Sequence, residues 1–291
     1  MLQQTQVKTV IPYFNRFTKK FKTLELLSRC KEKEILKLWE GLGYYRRARY
    51  LLASSKILVK EFNSKLPYEI KEIKKLPGVG DYTANALLGL VHDKPTIAVD
   101  GNVKRVFARI LNKNEMKIDF EKFIESNKKK LFNTKRNSDL VEALMEFGAL
   151  ICRPKDPKCS ICNLNKTCKY FNSSNKIKNT KKRMIKNKNY DVFCYMNKKK
   201  QIALTKKNNL GFLGEFNLPQ IKETNIVDCK KNWKFLSNYK NSISNVKLNI
   251  NLYYKFSQKI PLNFNWYSIK KNKEFMPTFT KKIFKQVSIL F

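Results

Sequence analysis

The sequence predicts a two-part chain, an all-α first half followed by an α+β second part. Two patterns carry the division. From Val7 to about Ile151 apolar residues recur at helical spacing, as in EILKLWEGLGYY, ANALLGLV and VKRVFARIL. Beyond about residue 188, YDVFCYM, QIALTKK and VKLNINLYYKF are short runs rich in Val, Ile, Tyr and Phe, bounded by Asn, Lys and Gly, as strands are. Between them, residues 172–187 are polar, basic and poor in large apolar side chains, the composition of a solvated linker. The expected domains are therefore 1–171, helical, and 188–291, α+β.

With 291 residues and 42% hydrophobic content the chain can bury a sizeable core. Its 61 Lys and Arg against 23 Asp and Glu give a formal charge of +38, part of it a general Lys/Asn bias. A polyanion is the natural partner, since each neutralised phosphate releases counterions. No apolar run is long enough to span a bilayer, and MLQQTQVKTV lacks the layout of a signal peptide, so a cytoplasmic protein without membrane contact is expected. No solenoid or propeller repeat is evident.

Seven cysteines are present, and Cys152, Cys159, Cys162 and Cys168 stand together at spacing Cys-x6-Cys-x2-Cys-x5-Cys. Four thiolates suit zinc or a cubane [4Fe-4S] cluster in a reducing compartment better than a disulfide framework. Arg153, Lys155, Lys158, Lys166 and Lys169 decorate this loop. Cys30, Cys194 and Cys229 read as ordinary buried thiols.

LPGVGDYTANALLGLV sets Gly78, Val79 and Gly80 in a turn that opens a helix near Asp81, where unpaired backbone N–H groups can meet a phosphate. About twenty residues on, AVDGNVKRVFARI places Asp100 before a basic amphipathic helix bearing Lys104, Arg105 and Arg109. Alone, Asp100 is a helix N-cap.

Taken in order, these motifs resemble the MutY family of adenine DNA glycosylases, in the helix-hairpin-helix, iron-sulfur superfamily. The resemblance implies hydrolysis of the N-glycosidic bond of adenine opposite 8-oxoguanine or guanine in double-stranded DNA, by a monomer carrying one [4Fe-4S] cluster on the four cysteines. Asp100 would stabilise oxocarbenium charge on the deoxyribose, with Asn102 near the flipped nucleotide and Glu146 near the adenine. Tyr82 stands where strand-cutting relatives carry a Schiff-base lysine, and a phenol forms no imine, so a monofunctional enzyme is expected.

MLQQTQ, with Gln3, Gln4, Thr5 and Gln6, and GLGYYRRAR, with Leu42, Gly43, Tyr44 and Arg46, resemble the family segments that wedge into DNA. Inserted planar or amide side chains recover part of the stacking lost on base extrusion. Arg46, Arg47 and Arg49 would grip phosphate. The second part resembles the family's Nudix-like lesion-recognition domain, LGFLGEFNLPQ matching its Gly-rich signature and MPTFTKKIF its last helix. Five scattered acids, Asp191, Glu215, Glu223, Asp228 and Glu274, argue against nucleotide hydrolysis. The family's Phe-Ser-His loop aligns with Ile243, Ser244 and Asn245, keeping only the serine. The family's proton-donating glutamate would align two residues before Met1, which implies a late start or a fragment. A complete chain would instead be a mismatch-binding protein with feeble excision, general acid catalysis contributing roughly 10² to 10⁴ in rate.

Overall fold

The computed structural model describes the chain except residues 4, 178–185, 207–212, 215, 225–231, 244–245 and 271–274. The helices are α1 (Val7–Lys20), α2 (Leu24–Ser28), α3 (Glu32–Leu38), α4 (Arg46–Glu61), α5 (Ile70–Ile73), α6 (Asp81–His92), α7 (Gly101–Leu111), α8 (Phe120–Ser126), α9 (Lys128–Leu131), α10 (Asn137–Glu146) and α11 (Lys169–Asn172). Among the described residues no strand precedes β1 (Lys186–Asn197). It is followed by β2 (Gln201–Leu204), β3 (Gln220–Glu223), β4 (Lys234–Ile243), β5 (Val246–Phe256), β6 (Asn265–Ser268) and α12 (Thr278–Val287). No helix among the described residues is long and apolar enough to cross a membrane.

The chain forms two compact units that do not follow chain order. One comprises residues 21–30 and 49–181; the other joins 1–20 and 31–48 to 182–291. A reading along the sequence places all of the first 171 residues together and does not foresee this interleaving.

In the helical unit, Ile97, Val103, Phe107 and Phe120 make one core, with Leu144 and Phe123 packed against it. Ile73, Ala84 and Leu88 make another, beneath Val79 of the hairpin. Helices α6 and α10 cross closely at Gly89, where an added Cβ would lie 2.6 Å from Val141 Cγ2. The short polar side chains of Asp93 and Asn112 tolerate the left-handed conformation that ends α6 and α7.

In the other unit, six strands form one sheet of order β4-β5-β1-β2-β6, with β3 also paired to β1. β1 and β5 run parallel, Val192 opposite Leu252, while β4 and β5 form an antiparallel hairpin. Leu248, Ile250, Leu252, Val192, Cys194 and Met196 share one buried face. Phe279, Ile283, Phe284 and Val287 of α12 are buried too, and Gln286 accepts from Ser237 of β4 at 3.2 Å.

The N-terminal part of this unit is tied to its C-terminal part by a half-buried carboxylate. Glu40 Oε1 accepts the Met276 N–H at 3.2 Å, and Oε2 lies 3.0 Å from Lys281 and 3.1 Å from Lys37. Tyr45 packs edge-on against Phe216 and Phe275 at 5.1 and 4.9 Å between centroids. Burial alone would raise the Glu40 pKa, but the hydrogen bonds from Lys281, Met276 and Lys37 outweigh it and hold the carboxyl below its ordinary value. A depressed pKa stabilises the fold above the carboxylate range and ceases to do so as pH falls through it. Glu40→Gln is therefore expected to lower unfolding free energy by about 1.5–3 kcal/mol at neutral pH. In chemical denaturation the deficit should shrink below about pH 4.

Candidate active site and nucleic-acid interface

The hairpin sits between α5 and α6. Val79 donates its N–H to Leu76 O at 3.1 Å, and Ser54 Oγ donates to Pro77 O at 3.1 Å, anchoring the turn on α4. Gly78 has φ +78°, and a Cβ there would fall 2.5 Å from the Tyr50 ring, so both conformation and space demand glycine. Gly80 precedes α6 with no side-chain cap on the first turn, whose N–H groups have no intrahelical acceptor. Asp81 in that first turn is exposed and paired with Lys74 at 2.5 Å, and that hydrogen bond lowers its pKa.

One turn of chemistry-bearing residues is fixed at the start of α7. Asp100 Oδ1 accepts the N–H groups of Asn102 and Val103, both at 2.8 Å, and Oδ2 accepts the Asn102 side-chain amide at 3.0 Å. Asp100 is thus an N-cap as well as the expected catalytic carboxylate. Tyr82, whose hydroxyl reaches Met145 Sδ at 3.8 Å, has a raised pKa, first from burial and then from the negative charge of Asp100. Glu146 ends α10 and is exposed. Lys104 lies half-buried with its ammonium 5.6 Å from the Phe120 ring centroid.

A residue not singled out as a site residue in the sequence organises this turn. Arg105 donates from Nη2 to Asn102 Oδ1 at 2.9 Å and to Gly148 O at 2.6 Å, and from Nε to Cys152 O at 2.9 Å. Gly148 lies in a π-helical turn, Phe147–Ile151, that continues α10, and a Cβ on it would stand 2.7 Å from Asn102 Cβ. The π-turn, the asparagine and the cysteine loop are therefore held by one guanidinium. The spacing of Asn102 and Arg105, one helical turn apart, was the available signal.

Cys152, Cys159, Cys162 and Cys168 all line one pocket, together with Arg109, Ile151, Leu164 and Tyr170. None is in a disulfide. Arg109 Nη1 lies 3.3 Å from Cys152 Sγ, and Cys168 Sγ lies 3.6 Å from Arg109 O. Burial raises the Cys159 pKa, and the other three cysteines raise it further, as thiolates in mutual electrostatic reach do. Among the described residues no three His, Cys, Asp or Glu stand close enough to grip a single ion. Sulfurs around one zinc would lie about 3.8 Å apart, given a tetrahedron and Zn–S of about 2.3 Å. Four cysteine thiols lining one pocket are the donor type that a [4Fe-4S] cluster takes, one thiolate to each iron.

The other unit carries the segments expected to enter DNA. Gly41, Gly43 and Tyr44 have φ of +107°, +69° and +48° in the turn before α4. Gly41 is obligatory, since a Cβ there would fall on the Tyr13 hydroxyl. Tyr44, a non-glycine in left-handed conformation, is 43% exposed, the kind of strained presentation found at functional sites.

Two expectations need correction here. Leu42 is only 7% exposed and belongs to the core rather than to a contact surface. Arg47 does not face outward to phosphate: its guanidinium donates to Met1 O at 2.8 Å, to Thr5 Oγ1 at 3.1 Å, and also to Gln3 O. It also lies over the Trp39 and Tyr44 rings at 5.5 and 5.3 Å. Those acceptors and rings repay part of the desolvation that lowers its pKa. Arg47 so braces Tyr44 against the MLQQTQ segment. Arg46, Gln3 and Gln6 are exposed and Thr5 is half-buried, whereas Gln4 and Ser244 lie outside the described residues.

Comparison with known proteins bears on this arrangement. Residues 1–130 match the HhH-GPD superfamily of base excision DNA repair proteins. An adenine DNA glycosylase of Buchnera aphidicola subsp. Baizongia pistaciae is 37% identical, over 92% of this chain and 82% of that protein. The chain belongs to the adenine DNA glycosylase family. A second such glycosylase, from Buchnera aphidicola subsp. Schizaphis graminum, is 38% identical over 72% of this chain, and the matched part spans 56% of its length. The solved structure of a thermostable thymine-DNA glycosylase superposes with a TM-score of 0.52 at 29% identity, covering 58% of this chain and 79% of that one. The helical part therefore has the helix-hairpin-helix glycosylase fold.

Arg105→Lys keeps the charge but loses the fork that reaches three acceptors at once. It is expected to slow single-turnover base release about 10- to 100-fold, the order of loss that a small misplacement of a reacting group brings. Circular dichroism should show the helices intact; an unchanged rate would mean that Asn102 and Gly148 are held without Arg105.

Proposed function

We infer that this protein is a monofunctional adenine DNA glycosylase, acting on adenine mispaired with 8-oxoguanine or guanine. The observation that carries the reading is the Asp100 carboxylate, held by three N–H donors within electrostatic reach of Tyr82. As adenine departs, positive charge develops on the deoxyribose, and a carboxylate already oriented stabilises it without having to reorganise. Asn102 pins the oxygen not taken by the backbone and so sets the plane of the carboxylate. Tyr82 supplies no amine, so the chemistry ends with hydrolysis and an intact strand. Glu146 is assigned to the adenine pocket. The family relationship favours this reading over a protein that binds mismatches without excising.

DNA is the proposed partner, gripped at the α6 N-terminus beside Gly78, Val79 and Gly80 and by basic residues including Lys104 and Arg46. Tyr44, Gln3 and Gln4, with Thr5 and Gln6 alongside, would fill the space left by the extruded base. In chain order the proposed domains remain 1–171, a linker at 172–187, and a Nudix-like lesion-recognition module at 188–291 in which Ser244 meets the oxidised guanine. A monomer is the proposed state. One [4Fe-4S] cluster on Cys152, Cys159, Cys162 and Cys168 would crosslink the loop and present its basic side chains to phosphate.

Asp100→Asn retains the cap but removes the charge. Single-turnover adenine release from a duplex bearing adenine opposite 8-oxoguanine is expected to fall by about 10² to 10³ or more, with duplex affinity little changed. Borohydride should trap no covalent adduct on abasic DNA. Equal rates for Asp100→Asn and the parent chain would remove Asp100 from the chemistry, and a trapped adduct would replace hydrolysis with a lyase mechanism.

Purified protein should carry four irons and four inorganic sulfides per chain if the cluster assignment holds. Cys162→Ser should lose them and weaken duplex binding. Zinc in place of iron in anaerobically prepared protein would overturn the assignment.

A further inference from the structure

The sheet of the C-terminal part has two unlike faces. The alternation that buries Leu248, Ile250 and Leu252 of β5 turns Lys247, Asn249, Asn251, Tyr253 and Lys255 to the opposite side. Register brings Phe235 of β4 and Phe193 of β1 beside Tyr253, and Lys240 beside Asn249. The Phe193 and Tyr253 rings stack at 5.5 Å and 21°, and Phe235 meets Tyr253 at 5.6 Å. Trp233 stands edge-on to Phe193 at 5.0 Å and to Tyr195 at 4.8 Å.

Farther along the same face the rings give way to amides. Asn249 donates to Asn189 Oδ1 at 2.8 Å, and Asn251 to Asp191 Oδ1 at 2.9 Å. Lys240, Lys247, Asn189, Asn238 and Asn249 are exposed, Phe235 is 56% exposed, and Tyr253 and Trp233 are half-buried beside the buried Phe193. Asp191, the one carboxylate in these rows, is 2% exposed and spends an oxygen on Asn251. The accessible charge on the face is therefore positive.

Rings for bases, amides for base edges and lysines for phosphates, all on one sheet face, match the requirements of an unpaired strand. A duplex, whose bases are already stacked, offers no ring faces to Phe235. We propose that this face, presenting Phe235, Tyr253 and Trp233 with Lys240, Lys247 and Lys255, is a second nucleic-acid site that binds single-stranded DNA by stacking. Its residues and Asp100 belong to different units. From Lys247 to Lys255 the face extends about 27 Å along β5, room for a few nucleotides, within the roughly 4–16 that single-strand modules cover.

The test is fluorescence anisotropy of a labelled twelve-residue oligo(dT) with the full chain and three variants. Phe235→Ala, at an exposed position, is expected to weaken binding about 5- to 50-fold, as loss of a stacked base does. Lys240→Glu with Lys247→Glu should lower the slope of log affinity against log salt by about 1.4, the share of two single-strand phosphates. Trp233→Phe should abolish most of the tryptophan quenching that oligo(dT) causes in the parent, which retains Trp39 and Trp266 in either case. Adenine release from duplex should be unchanged in Phe235→Ala and Trp233→Phe. Loss of affinity in the lysine variant alone would mean that the face attracts phosphate without stacking, and the proposal fails. Unchanged binding in every variant would place the strand elsewhere on this basic chain and equally overturn it.

Discussion

Asp100 and Asn102, the residues proposed for catalysis, are held by the hydrogen bonds at the start of α7. A helix opening leaves N–H groups without partners, and Asp100 satisfies those of Asn102 and Val103 with one carboxylate oxygen. The geometry that stabilises the helix is the same geometry that would hold a negative charge in place for the proposed chemistry on a sugar. Because Asn102 takes the second oxygen and Arg105 takes Asn102, the position of the carboxylate depends on the guanidinium, the π-turn at Gly148 and the carbonyl of Cys152. Cysteine loop and carboxylate thus belong to one network, joined through a single arginine.

The segment proposed to enter DNA is built on the same device with other parts. Arg47 satisfies carbonyls of a short irregular N-terminal stretch that has no ladder of its own, and its flat face supports Tyr44. A half-buried cation is tolerated because both terminal nitrogens donate to oxygens and its faces meet rings. In each unit a half-buried arginine fork turns irregular backbone into a defined surface, an arrangement for which lysine, a point charge on a flexible stem, is unsuited.

Legibility in the sequence varied with how local the cause was. Helical periodicity, the glycine turn, the N-cap position of Asp100 and the cysteine spacing depend on near neighbours, and the structure shows the helices, the turn and the cap where they were expected. β1, β2 and β5 were visible too, as runs rich in Val, Ile, Tyr and Phe, and α12 through its resemblance to the family's last helix. β4 was not, because KFLSNYKNSI alternates into an open face where Lys and Asn dilute the pattern, and β6 has only four residues. Leu42 was misread because its neighbours in GLGYYRRAR are surface residues while its own side chain turns inward.

The sequence by itself determined the order of elements, the residue types available for chemistry and the family, because these reside in spacing and local conformational preference. Tertiary structure alone decided that Arg47 braces rather than grips, that Arg105 links Cys152 to Asn102, and that residues 1–20 and 31–48 fold with the C-terminal part. It decided as well that Phe235 stands exposed on one side of the sheet. Each of these depends on donors, acceptors and rings brought together from distant positions. Charge and hydrophobicity along the chain are the same whichever oxygen an arginine finds, so only the packed fold selects among them.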